Sequence, residues 1–197
     1  MTKLITDKVG VRPVTHRAGR WTTNDDYFSL LVKYGYKVDC SVTPGMDWSI
    51  NKGQGVNSKG SDYSLAENHP YYVKEGLLEV PVTVKKTHKF FLPHSITVKN
   101  TIKMLYRGIK GQTIWLRPNG SNLKEMLYIL DHENNSNNYV MFMIHSSELM
   151  PGGSPTFKTE TDITKLYDDL DSLFSEVIKK YCGETLHQYY LKHYRKW

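Results

Sequence analysis

Cysteine is scarce in this chain. Cys40 and Cys182 are the two among 197 residues, too few for a disulfide framework, and no CxxC pair supports a zinc or redox site. A reducing compartment is the default for such usage. No stretch comes near the roughly 20 apolar residues that a membrane-spanning helix needs, so no membrane span is expected. The first twelve residues lack the apolar run of a signal peptide, which makes the cytoplasm the expected location. Long runs of like charge and internal repeats are absent too.

What the chain has is the balance of a folded domain: 39% hydrophobic and 23% charged residues, enough for a core and too apolar for disorder. A single domain over residues 1–197 is expected. The net charge of +6 permits attraction to anionic glycans, nucleic acid or membrane surfaces. Its one concentration runs from Lys85 to Lys110. No recognised nucleic-acid motif accompanies it, so nucleic acid is not an expected partner. Aromatics are frequent at 12%; they serve either as core filler or as stacking platforms in a sugar groove.

Periodicity predicts alternating elements. A short helix closes at Gly10, and Pro13–Thr15 reads as a strand. Thr23 or Asn24 caps a helix carrying Tyr27, Leu30, Leu31 and Tyr34, closed by Gly35. From Tyr36 to Thr43 apolar and polar residues alternate as in a strand, with Asp39 on the polar face. A long loop covers 44–74. Leu77–Val84 reads as a strand, Lys85–Lys89 as a basic turn, 100–107 as a helix and 113–116 as a strand. Ser121 or Asn122 caps the next helix, and a polar loop covers 131–138. The apolar run from Tyr139 to Ile144 reads as a strand buried on both faces, ending at His145. Thr159 and Asp162 form a capping box for an amphipathic helix ending near Gly183, and the tail is helical. The order β-α-β-loop-β-α-β-α-β-α argues for an α/β fold. Polar residues follow the strand ends, where ligands bind in parallel α/β architectures.

Several segments in order carry a resemblance: His16-Arg17-Ala18-Gly19-Arg20-Trp21, Gly35 to Pro44, Asp47-Trp48, Trp115-Leu116-Arg117-Pro118, and His145 through Pro155. Together they resemble the NodB-homology polysaccharide deacetylases, in particular the WbmS/WalW-like branch, over roughly residues 9–178. The resemblance implies a distorted or partial (β/α) barrel lacking its first strands, with a glycan or amino-sugar substrate and removal of N-acetyl groups. It also implies a divalent, zinc-like metal held by an Asp and two His. Those ligands belong to family segments that precede the matched portion. Here no Asp-Asp segment precedes the matched portion and there is no HxxxH, and His69, His88 and His94 have no companion at ligand spacing. The chain is thus expected to be N-terminally incomplete and inactive by itself, with exposed strand edges that favour self-association. The alternative is a non-catalytic carbohydrate-binding or vestigial domain.

The resemblance gives Arg17 the orienting of a catalytic base, Asp47 the support of the catalytic acid, and His145 the role of that acid. Trp48 would line the groove. Each has a plainer reading. His145 can satisfy loop backbone. Arg17 can form a structural ion pair with Asp39 or Asp47, and Trp48 can anchor its loop. Arg20 is a candidate for holding substrate, because a guanidinium binds carboxylates in a planar fork. Asp39, Arg117 and Glu148 complete the substrate-binding candidates; their plainer roles are a strand-end acceptor, a structural arginine and a turn cap.

Overall fold

The computed structural model describes residues 1–50, 59–93, 96–133 and 139–194. His94, part of the 44–74 loop and most of the 131–138 loop lie outside the described residues. The chain forms two compact units. The first is Met1–Val82 together with the chain from Gly183 onward, and the second is Thr83–Cys182.

The first unit starts with helix α1, Thr2–Val9, which Gly10 closes in the left-handed conformation. Strand β1, Thr15–His16, follows. Helix α2, Asp25–Lys33, is capped by Asn24, whose side chain accepts from Tyr27 N at 2.8 Å. Strand β2 is Val38–Asp39, β3 is Tyr71–Lys74 and β4 is Leu77–Glu79. They form one sheet in the order β1-β2-β4-β3; β1, β2 and β4 are parallel and β3 is an antiparallel edge. Leu31, Tyr36 and Leu77 pack under the sheet with Phe28 and Val73.

The alternation from Tyr36 to Thr43 predicts one buried and one open face. The structure differs: Val38, Cys40 and Val42 are buried, and so are Asp39, Ser41 and Thr43. A parallel strand between two partners is covered on both faces, and its polar residues must then find partners inside the protein.

In the second unit, strand β5, Val84–Thr87, pairs antiparallel with β6, Gln112–Trp115. The basic stretch at Lys85–Lys89 is therefore partly strand, not a turn. Pro81 has no N–H to donate, and the ladder of β4 ends before it. Helix α3 is Val98–Lys110, α4 is Leu123–His132 and α5 is Glu160–Val177. Ile114, Leu116, Met126, Ile129, Leu130 and Leu173 make the core. The Thr159–Asp162 capping box forms as expected: Thr159 Oγ1 accepts from Asp162 N, and Asp162 Oδ2 from Thr159 N. Residues 139–144 form no regular strand. Thr83 N donates to Met141 O and Met143 N to Leu116 O, isolated bonds rather than a ladder. An apolar run does not distinguish the two.

Helix α6, Leu186–His193, returns to the first unit. Tyr72 of β3 donates its hydroxyl to Tyr194 O at 2.6 Å. The class is mixed α/β with open sheets; no barrel closes among the described residues.

Candidate functional site

Strand register brings together what the sequence keeps apart. His16 lies opposite Asp39, Asp39 opposite Glu79, and Glu79 opposite Tyr71. Neighbours at one register position project to the same face of a sheet. One rung thus carries an imidazole, two carboxyls and a phenol at the C-terminal ends of three parallel strands, the end at which α/β sheets bind ligands.

The rung is wired by hydrogen bonds. His16 Nδ1 lies 2.6 Å from Asp39 Oδ1, and His16 Nε2 lies 3.0 Å from the Tyr27 hydroxyl. Asp39 Oδ1 also accepts from Ser41 Oγ, and Oδ2 from Ser41 N. A carboxylate acceptor puts the imidazole proton on Nδ1 and leaves the Nε2 lone pair for the Tyr27 O–H. Burial, then the Asp39 charge, raises the Tyr27 pKa, so the phenol keeps its proton. Asp39 is fully buried, whereas the His16 side chain remains 18% exposed and is the route from the rung to solvent.

Glu79 is buried completely. Its Oε1 accepts from Val42 N at 2.9 Å, while Oε2 is buried without a donor among the described residues. Burial and the neighbouring Asp39 carboxylate hold its pKa well above the usual range, and the two carboxyls are within hydrogen-bonding reach. Two acceptors share a contact only when one carries a proton. A protonated Glu79 donating to Asp39 satisfies the orphan oxygen. Burial, and after it the charge that Glu79 carries once ionised, pushes the Tyr71 pKa upward.

Arg17 forms no ion pair with Asp39 or Asp47 among the described residues. Its Nε donates to Cys40 O and Sγ, both at 3.2 Å, and its guanidinium lies 5.5 Å from the Trp21 ring centroid. Burial pushes the Cys40 thiol up to about 11 against the opposing Arg17 charge, so it is not a ready nucleophile. Arg20 is exposed, and Arg20 and Trp21 both adopt the left-handed backbone conformation at φ 59° and 58°. That arrangement costs each about 1–2 kcal/mol. Hydrogen bonds from Tyr63 to Trp21 O and between Ser61 and Thr23 hold the turn. Strain maintained in this way beside a polar cluster is a common mark of a functional turn.

Asp47 is exposed and accepts from Ser49 N at 2.8 Å; hydrogen bonds from the Ser49 side chain first, and then from its N–H, lower the Asp47 pKa. Trp48 donates its indole N–H to Thr43 Oγ1 at 2.8 Å, anchoring the loop.

The remaining candidates belong to the second unit. The His145 residue is exposed rather than enclosed at a strand end. Buried Glu148 accepts from His145 N at 2.9 Å and from Arg117 Nη2 at 2.7 Å. This trio fixes the 146–149 turn. Glu148→Ala is expected to cost roughly 2–4 kcal/mol, because it removes two hydrogen bonds from a buried carboxylate and leaves a cation unpaired. A lower thermal midpoint, with Glu148→Gln intermediate, checks this.

The implied divalent metal does not fit the rung. Both nitrogens of His16 and both oxygens of Asp39 are engaged in hydrogen bonds. Among the described residues no group of three or more His, Cys, Asp or Glu is arranged to hold a metal ion.

Sequence reasoning named Asp39 but missed Tyr27, Ser41 and Glu79, and quoted His16 only within its segment. One signal was available: Glu79 interrupts the apolar run Leu77-Leu78-Glu79-Val80, and a carboxyl in a buried strand requires an explanation. In comparisons with protein-family models, curated proteins and solved structures, the chain has no match.

Proposed function

We propose that this chain is a polysaccharide-deacetylase-like protein of partial-barrel type, and that the His16–Asp39–Glu79 rung is its acid–base centre. The observation that carries the reading is the alignment of these three groups on adjacent parallel strands, with His16 reaching solvent. Hydrolysis of an N-acetyl group needs a base for the attacking water and an acid for the leaving amine. Asp39 fixes the tautomer of His16, and His16 Nε2 is the base. Tyr27 occupies the position from which a proton reaches that nitrogen. Arg20, displayed on its strained turn, binds the glycan. The metal implied by the resemblance is not held by this rung, and no step here depends on it.

A second reading, a glycan-binding domain without turnover, is favoured by the saturation of His16 and Asp39 with internal hydrogen bonds. The two separate in one experiment: acetate release from N-acetylated glycans, with zinc, cobalt or manganese added, alongside calorimetric titration of the same glycans. The first reading expects release, reduced by His16→Gln. Binding without release supports the second, and neither binding nor release defeats both.

A further inference from the structure

The strongest unexplained feature lies on α3. Val98, Ile102, Leu105, Tyr106 and Ile109 recur at intervals of three and four along this helix, and all are exposed, Val98 at 79% and Ile109 at 76%. Such spacing forms one apolar stripe. Lys99, Lys103, Arg107 and Lys110 follow one another at the same spacing beside it, and α3 contains no acidic residue. The opposite face is the one that packs. Gly108 is buried, and a Cβ there would lie 2.2 Å from Phe90 Cε1; Thr101 and Met104 are half-buried. The apolar stripe and its row of cations therefore face outward together. Lys103 and Arg107 also line a cavity of about 290 Å3 whose walls include Phe91, Leu92, Met104 and the Glu125 carboxyl.

Monomers rarely expose so continuous an apolar stripe without an interaction to cover it. The adjoining cations select the occupant. A neutral apolar partner leaves them unused, whereas nucleic acid leaves the stripe unused. We infer that α3 is an interfacial helix that docks the protein on an anionic lipid surface, its apolar stripe entering the acyl boundary and its cations meeting headgroup phosphates. The docking is peripheral, and no helix of the described residues is long and apolar enough to cross a membrane.

The test is flotation of the full chain with vesicles of phosphatidylcholine plus phosphatidylglycerol, and with phosphatidylcholine alone. Binding is expected on the first and weak on the second, because each cation contributes roughly fivefold near an anionic surface. Ile102→Glu with Ile109→Glu is expected to reduce binding at least tenfold, as is Lys99→Glu with Lys110→Glu. Circular dichroism checks that these variants fold. Tyr106→Trp supplies a readout in an otherwise intact helix, and its fluorescence should shift blue on the anionic vesicles. The inference fails if the chain does not float, if neutral vesicles bind it equally, if the isoleucine variant still floats, or if the tryptophan reports no shift. It also fails if the isoleucine variant instead dissolves a dimer, or if salt-sensitive RNA binding survives it.

Discussion

Asp39→Asn is expected to invert the tautomer of His16 and lower any hydrolytic activity by roughly 100- to 10,000-fold, the range general acid–base catalysis supplies. The geometry dictates the inversion. Ser41 N donates to Asp39 Oδ2, so an amide at this position turns its oxygen toward Ser41 and its amino group toward His16 Nδ1. An N–H donor facing Nδ1 drives the imidazole proton to Nε2, where it meets Tyr27 instead of a lone pair. Nitrogen NMR of the histidine ring reads this directly and does not depend on turnover. An unchanged His16 tautomer in a folded Asp39→Asn protein would remove Asp39 as the positioning residue and leave the rung a structural polar cluster.

Glu79 has the second large effect, on stability. Glu79→Ala removes the acceptor of Val42 N and opens a void beneath a fully buried position. The unpaired donor and the cavity together are expected to cost about 3–5 kcal/mol, equivalent to roughly 2–4 °C of thermal midpoint per kcal/mol in a chain of this size. Glu79→Gln behaves differently. Its amide oxygen keeps the bond to Val42, and its amino group donates to Asp39 at every pH.

The wild-type carboxyl does so only while protonated. Its folded pKa lies above the ordinary 4.5, so its contribution is complete below that value. As the pH rises further, the unfolded chain releases the proton first, and stability falls until the pH passes the raised folded pKa. Thermal melts of wild type should therefore decline over this interval. Glu79→Gln should flatten the decline and melt higher than wild type at its alkaline end. Identical pH profiles for the two proteins would rule out a protonated Glu79.

Local elements were largely legible because their causes are local. Gly10 closes α1, Asn24 caps α2, and Thr159 with Asp162 caps α5 through bonds spanning a few residues. The strand boundaries were less legible. Pro81 marked a break, but only pairing with β6 made Val84–Thr87 a strand, and that partner lies about 28 residues further on. Likewise, alternation from Tyr36 to Thr43 located β2 but assigned Asp39 to an open face that a second parallel neighbour closes.

The sequence by itself determined the α/β class, several helix caps and the concentration of basic residues between Lys85 and Lys110, since each follows from residues within one stretch of chain. Tertiary structure alone decided which polar groups meet. His16, Asp39 and Glu79 are separated by 23 and 40 residues, and strand register puts them on one rung. Register is a property of strand pairs, and so are the burial that raises the Glu79 pKa and the carboxylate that orients His16.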